Sequence, residues 1–240
     1  MYPVIALGAL AGSVVIGTAG FAFTVVATAV WLHVLPPAQA VPLAVACAML
    51  LNLALVSRLW NEIRPRLLWP FLVGGLLGVP LGVAALHAID PAAMRRSVGW
   101  ILIVYAGYML TRRAAPKLQL HPRAARLLDV FVGAIGGFMS GAMSLTGIVP
   151  TLWCGLRGFD KGEQRGVMQP YLFVIQLATL LWFGGFGALS QQTLIDVLLL
   201  IPIMALGLVL GLKFFRNVSE SGFRRLVLAL LLVSGAGLVI

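Results

Sequence analysis

The 240 residues are 61% apolar and only 10% charged, with a mean hydropathy of +1.03 and a formal net charge of +10. A soluble domain carries about a quarter charged residues, so the composition excludes that class and predicts an all-α polytopic membrane protein. The positive balance does not read as a nucleic-acid surface, because the 17 Lys and Arg are scattered through short connections instead of gathered on one amphipathic face.

The chain opens on MYPVIALGAL, which has no basic residues ahead of its apolar run, so no cleavable signal is expected. Apolar stretches follow at about 3–32, 39–57, 67–88, 97–111, 127–156, 166–188, 193–215 and 223–240. A straight helix needs about 20 residues to cross a hydrocarbon core of about 30 Å. The first and fifth stretches, at about 30 residues, must tilt or fold back.

Charge placement separates these options, because cytoplasmic connections collect Lys and Arg. If all eight stretches cross, the basic residues divide almost evenly between the two faces. If the first and fifth are re-entrant hairpins, all 17 except Arg95 and Arg96 fall on one face. This second topology is the expectation, with six full crossings, both termini outside the cell membrane and the basic loops cytoplasmic.

The halves repeat. GALAG at Gly8–Gly12 matches GAIGG at Gly133–Gly137, an offset of 125, and GVPLG at Gly78–Gly82 matches GLVLG at Gly207–Gly211, with Arg95 and Arg96 falling on Arg224 and Arg225 at an offset of 129. The expected organisation is a first transmembrane repeat at 1–111, a basic cytoplasmic linker at 112–126 and a second repeat at 127–240. One broken or re-entrant hairpin plus three helices per half makes the second copy inverted, an architecture that places substrate at the repeat interface near the midplane.

The stretch with the most chemistry is GAIGGFMSGAMSLTGIVP, Gly133 to Pro150. A helix crowded with Gly, Ser and Thr and closing on proline is expected to break, and backbone that leaves the helix at membrane depth must be buried or line a polar cavity. Where it restarts, unpaired amides carry partial positive charge suited to an anion.

At these residues the sequence resembles the sulfite exporter TauE/SafE family of membrane transporters, whose halves each open with a glycine-rich stretch ending in proline. FVGAIGGFMSGAMSLTGIVP carries that pattern best, and GALAGSVVIGTAGFAFTVV is its counterpart, with Phe21-Ala22-Phe23 in place of the glycines and no closing proline. The resemblance covers nearly the whole chain. It implies secondary transport, by export or uptake, of small anions of the sulfite, sulfonate or organosulfur class, and it is the sole warrant for sulfur; facilitated efflux is expected because an interior-negative potential drives anions outward without another energy source.

The expected substrate-binding residues are Thr18, Gly20 and Thr24 at the first break and Ser144, Thr146 and Gly147 at the second, joined by Gln169 and Gln176, which stand two helical turns apart. The competing reading is that the glycines serve close helix packing and the amides serve interhelical hydrogen bonds. Asn52 is a weaker candidate for the same role. GxxxG at Gly78–Gly82 and Gly207–Gly211 reads as packing, and Trp31, Trp60, Trp69, Trp100, Trp153 and Trp182 as interfacial belts. Arg157 and Lys161 are placed to gather anions at the pore mouth. The seven acids, Asp129 among them, are read as lying in connections or near span ends, which leaves no midplane proton relay.

No catalytic residues, metal ligands or cofactor are expected. Cys47 and Cys154 form no CxxC, and His33, His87 and His121 are far apart. The expected partners are the small anionic substrate and the lipid bilayer, with the oligomeric state open between monomer and homodimer. An enzyme is disfavoured for want of a Ser/His pair or HExxH. A transporter or channel for another small solute, or a non-transporting membrane subunit, remains the alternative.

Overall fold

A computed structural model of the chain describes residues 2–19, 22–56, 62–111, 118, 120–214 and 220–239. Among them the chain forms ten helices and no strand: α1 (Tyr2–Ala19), α2 (Phe23–Trp31), α3 (Pro37–Val56), α4 (Pro65–Ala88), α5 (Pro91–Thr111), α6 (Pro122–Met143), α7 (Ile148–Leu156), α8 (Lys161–Gly185), α9 (Gln191–Phe214) and α10 (Glu220–Val239). Five spans, within α3, α4, α6, α8 and α9, are long and apolar enough to cross a membrane. The protein is an all-helical, multi-pass membrane protein.

The first and fifth apolar stretches are each broken in two. In the first, α2 returns along α1: Phe23 lies against Gly12, and Trp31 lies against Gly8 and donates its indole N–H to the Ile5 carbonyl at 2.9 Å. In the second, α7 returns along α6, with Pro150 beside Gly136 and Trp153 reaching Asp129. Long arms of 18 and 22 residues are thus each paired with a short arm of nine.

Local chemistry explains the second break. α6 ends in a left-handed cap, with the Ser144 N–H on the Ser140 carbonyl at 3.0 Å and the Leu145 N–H on the Met139 carbonyl at 3.1 Å. Ser144 sits at φ 60°, in the left-handed region. The helix restarts at Ile148 with Gly147 as its N-cap, and the Thr151 N–H closes the first turn on the Gly147 carbonyl at 3.0 Å. Ala22, at φ 78°, stands at the first break.

Packing comes from small residues, because lipid tails are as apolar as leucine and supply no hydrophobic drive between helices. A Cβ at Gly78 would collide with the Ala134 carbonyl, and one at Gly137 with Gly75, so α4 and α6 touch backbone to backbone. Gly207 and Gly211 do the same for α9 against Leu10 and Val14 of α1. The GxxxG segments are therefore packing faces. α4 runs parallel to α6, and α9 parallel to α1, while α5 and α10 pack antiparallel, Gly99 against Gly235 and Val239.

These contacts match under exchange of the halves. Gly17 meets Leu208, Gly211 and Leu212, and Gly141 meets Val79, Gly82 and Val83. Gly17 and Gly141 are 124 positions apart, whereas their partners are offset by 129. The hairpin arms thus correspond one residue closer than the GALAG and GAIGG letters imply. The reason is that Gly8 and Gly12 face their own short arm, whereas Gly133 and Gly137 face α4.

Two further expectations are corrected. Trp31 is fully buried, and Trp153 is engaged inside its hairpin, so neither is an interfacial belt residue; Trp69, Trp100 and Trp182 are exposed, and Trp60 lies outside the described residues. Asp129, expected near a span end, stands in the first half of α6 and is buried there. Arg157 is no free anion collector, because its guanidinium is paired with Asp129 at 2.7 Å.

Candidate functional site

The two breaks meet at one cleft. Its walls are Ala22, Phe23, Thr24 and Val25 at the start of α2, Gly147 and Ile148 at the start of α7, Ala48 and Asn52 of α3, Leu172 and Gln176 of α8, with Ile16 and Tyr105 closing it. The cleft measures about 340 Å³ with its open mouth included, and its interior has room for about one water.

Each polar wall group has a structural cause. At α7 the amides of Gly147, Ile148 and Val149 belong to the first turn, which a helix leaves unpaired, and Pro150 has no N–H to add. Their partial positive charge suits a negative occupant. Across the cleft the Asn52 amide donates to the Gln176 carbonyl oxygen at 2.8 Å, and both side chains are almost wholly buried. This one bond uses one donor and one acceptor, and Asn52 Oδ1 has no hydrogen-bond partner. Among the described wall residues none is a Lys, Arg, His, Asp or Glu.

Behind the α7 wall lies a chain of hydroxyls. Thr146 donates to Ser140 at 3.0 Å, and Thr179 donates to the Ile175 carbonyl at 2.7 Å. The proton of Thr179 being committed, Ser140 must donate to Thr179 across their 2.8 Å contact. Ser144, at the break itself, bonds the Thr28 hydroxyl of α2 at 2.5 Å, which joins the second break to the first hairpin.

Of the residues expected from sequence, Thr24, Gly147 and Gln176 are brought together on the cleft wall. Ser144 and Thr146 lie in the hydroxyl chain behind it. Gln169 is buried on α8 but is not on the wall. Gly20 and the side chain of Thr18 lie outside the described residues. Asn52 lines the wall together with Gln176, and its signal was present as an amide inside an apolar span. Thr28 and Tyr105 were not singled out, because one hydroxyl or phenol in an apolar helix has no distinguishing pattern.

The base of the second hairpin is charged. Arg157 Nη1 contacts both Asp129 oxygens at 2.7 and 2.8 Å, and the Trp153 indole donates to the same carboxylate at 2.7 Å. Asp129 is 3% and Arg157 16% exposed at the side chain, so the pair is held out of water and fastens the short arm to the long one.

A search of curated proteins and of solved structures returns no match to the chain. The family model described as Sulfite exporter TauE/SafE matches residues 4–238, both hairpins and all six remaining helices included. The chain belongs to the sulfite exporter TauE/SafE family of membrane transporters.

Proposed function

We propose that this protein is a facilitated exporter of small sulfur oxyanions, sulfite or related organosulfur anions, bound where the two hairpin breaks meet. The observation that carries the reading is the cleft itself: two helix starts and two buried amides, one of each from either half, converge on a space without a counter-charge. Amide dipoles and neutral donors hold an anion more loosely than a buried cation would, and a transporter must also release what it binds.

The antiparallel packing of α5 on α10 supports an inverted repeat. Equivalent helices that touch across a two-fold axis in the membrane plane run antiparallel, whereas an axis along the membrane normal makes them parallel. The concentration of all but two Lys and Arg on one face orients the chain in the inner membrane with the basic loops cytoplasmic and both termini outside. The cleft is too narrow for a sulfur oxyanion, so transport requires one repeat to move against the other.

No acid lines the described cleft wall, and an interior-negative potential drives a monovalent anion outward by about 2.3 kcal/mol per 100 mV. That force is sufficient for efflux. The test is flux of labelled sulfite, sulfonates and sulfate in proteoliposomes under an imposed potential. Potential-driven movement of at least one sulfur anion is expected, and purified protein that moves none of them refutes the proposal.

A further inference from the structure

We infer that the Asn52–Gln176 pair selects a singly charged oxyanion that still carries a hydrogen-bond donor, hydrogensulfite in preference to sulfite or sulfate. The inference rests on the proposed transport function and names the form of the substrate that the cleft accepts.

The first argument is the unused acceptor. Asn52 is 1% exposed, lines the cleft and donates to Gln176, and its Oδ1 has no partner. Exchanging the oxygen and nitrogen of both amides does not alter the conclusion, because any pair joined by one N–H···O bond leaves one carbonyl and at least one N–H unused. An anion with no proton offers acceptors alone. It satisfies the amide N–H groups but leaves the carbonyl buried and facing negative charge. A buried acceptor left without a donor costs about 1–3 kcal/mol, and sites built to meet a donor discriminate strongly against analogues lacking one. An anion bearing one O–H satisfies both sides of the pair.

The second argument is charge. The described wall holds no cation, and Tyr105 is its one titratable side chain. Transfer out of water scales with the square of the charge, so a dianion pays roughly four times the desolvation of a monoanion with the same helix starts to offset it. Hydrogensulfite meets both conditions. Sulfate and sulfite fail on charge, and a simple alkanesulfonate fails for want of a donor. A sulfonate enters the class when its other end carries an O–H or N–H.

The test uses two anions of nearly one shape. At mildly acidic pH, methylphosphonate is a monoanion with one O–H, and methanesulfonate is a monoanion without. Each is offered as a competitor of labelled hydrogensulfite flux in proteoliposomes of the native protein and of Asn52→Leu. The expected result is that methylphosphonate competes at least about tenfold better than methanesulfonate on the native protein and that Asn52→Leu erases the difference. Equal competition by the two on the native protein overturns the inference while leaving transport intact, and this comparison stands even if the variant does not fold. A difference that survives Asn52→Leu overturns the role given to the pair. Absence of hydrogensulfite flux in the native protein overturns the transport function and this inference with it.

Discussion

Trp31 donates its indole N–H to the Ile5 carbonyl, and Trp153 donates its own to Asp129; the acceptors Ile5 and Asp129 are 124 residues apart, as are Gly17 and Gly141, while the two tryptophans are 122 apart. Both hairpins are thus latched by a tryptophan. The second latch adds an ion pair to Arg157, so the two differ in strength. Removing one member of a buried ion pair costs about 3–5 kcal/mol, against about 1 kcal/mol for one neutral hydrogen bond. Asp129→Asn is expected to lower the thermal midpoint of the detergent-solubilised protein well below that of Trp31→Phe. Equal midpoints would remove the ion pair from any structural role.

The α4–α6 contact makes a sharper prediction about glycine. Gly78 has the Ala134 carbonyl where a Cβ would stand, while Gly107 of α5 has nothing within 4 Å. Gly78→Ala must push two helix backbones apart and is expected to destabilise by several kcal/mol, read as loss of the monodisperse species on gel filtration. Gly107→Ala, in an open helix interior, is expected to be neutral or stabilising by up to about 1 kcal/mol. Similar behaviour of the two would show that the backbones do not approach.

The two glutamines of α8 separate site from scaffold. Gln176 lines the cleft and bonds Asn52, whereas Gln169, two turns earlier, does not reach the wall. Gln176→Leu is expected to reduce hydrogensulfite flux at least about tenfold, the loss of one to two charge-assisted hydrogen bonds. Gln169→Leu is expected to act mainly through stability. Comparable flux in Gln176→Leu and the native protein would detach the cleft from transport.

The two broken stretches were legible because excess length and clustered Gly, Ser and Thr coincide in each. The register between halves was legible only to within one residue. Identical letters, Gly8 and Gly133, pack against different neighbours, one its own short arm and the other α4, and nothing local distinguishes those fates. The tryptophan latches were hidden for a related reason. Trp31 and Trp153 stand near the ends of apolar runs, as belt residues do, and only the return of the short arm turns them inward. Asn52 and Gln176 could each be noticed as a rare polar residue, but their pairing depends on α3 crossing α8 between the hairpins.

The orientation in the membrane can be tested on intact cells without altering the native cysteines. Cys47 and Cys154 are both buried with zero exposure, so neither is expected to react with a membrane-impermeant maleimide. Under the proposed topology, Asp160, which follows α7, stands on the face that collects Lys and Arg, and Ser190, which precedes α9, on the opposite face. Ser190→Cys is therefore expected to label from outside, and Asp160→Cys only after the membrane is permeabilised. Because Asp160 forms the N-terminal capping box of α8 with Glu163, its replacement costs about 1 kcal/mol, too little to unfold the helix. The reverse labelling pattern would place the basic loops outside and overturn the proposed orientation. Labelling of both from one side would mean that α8, 25 residues long, does not cross.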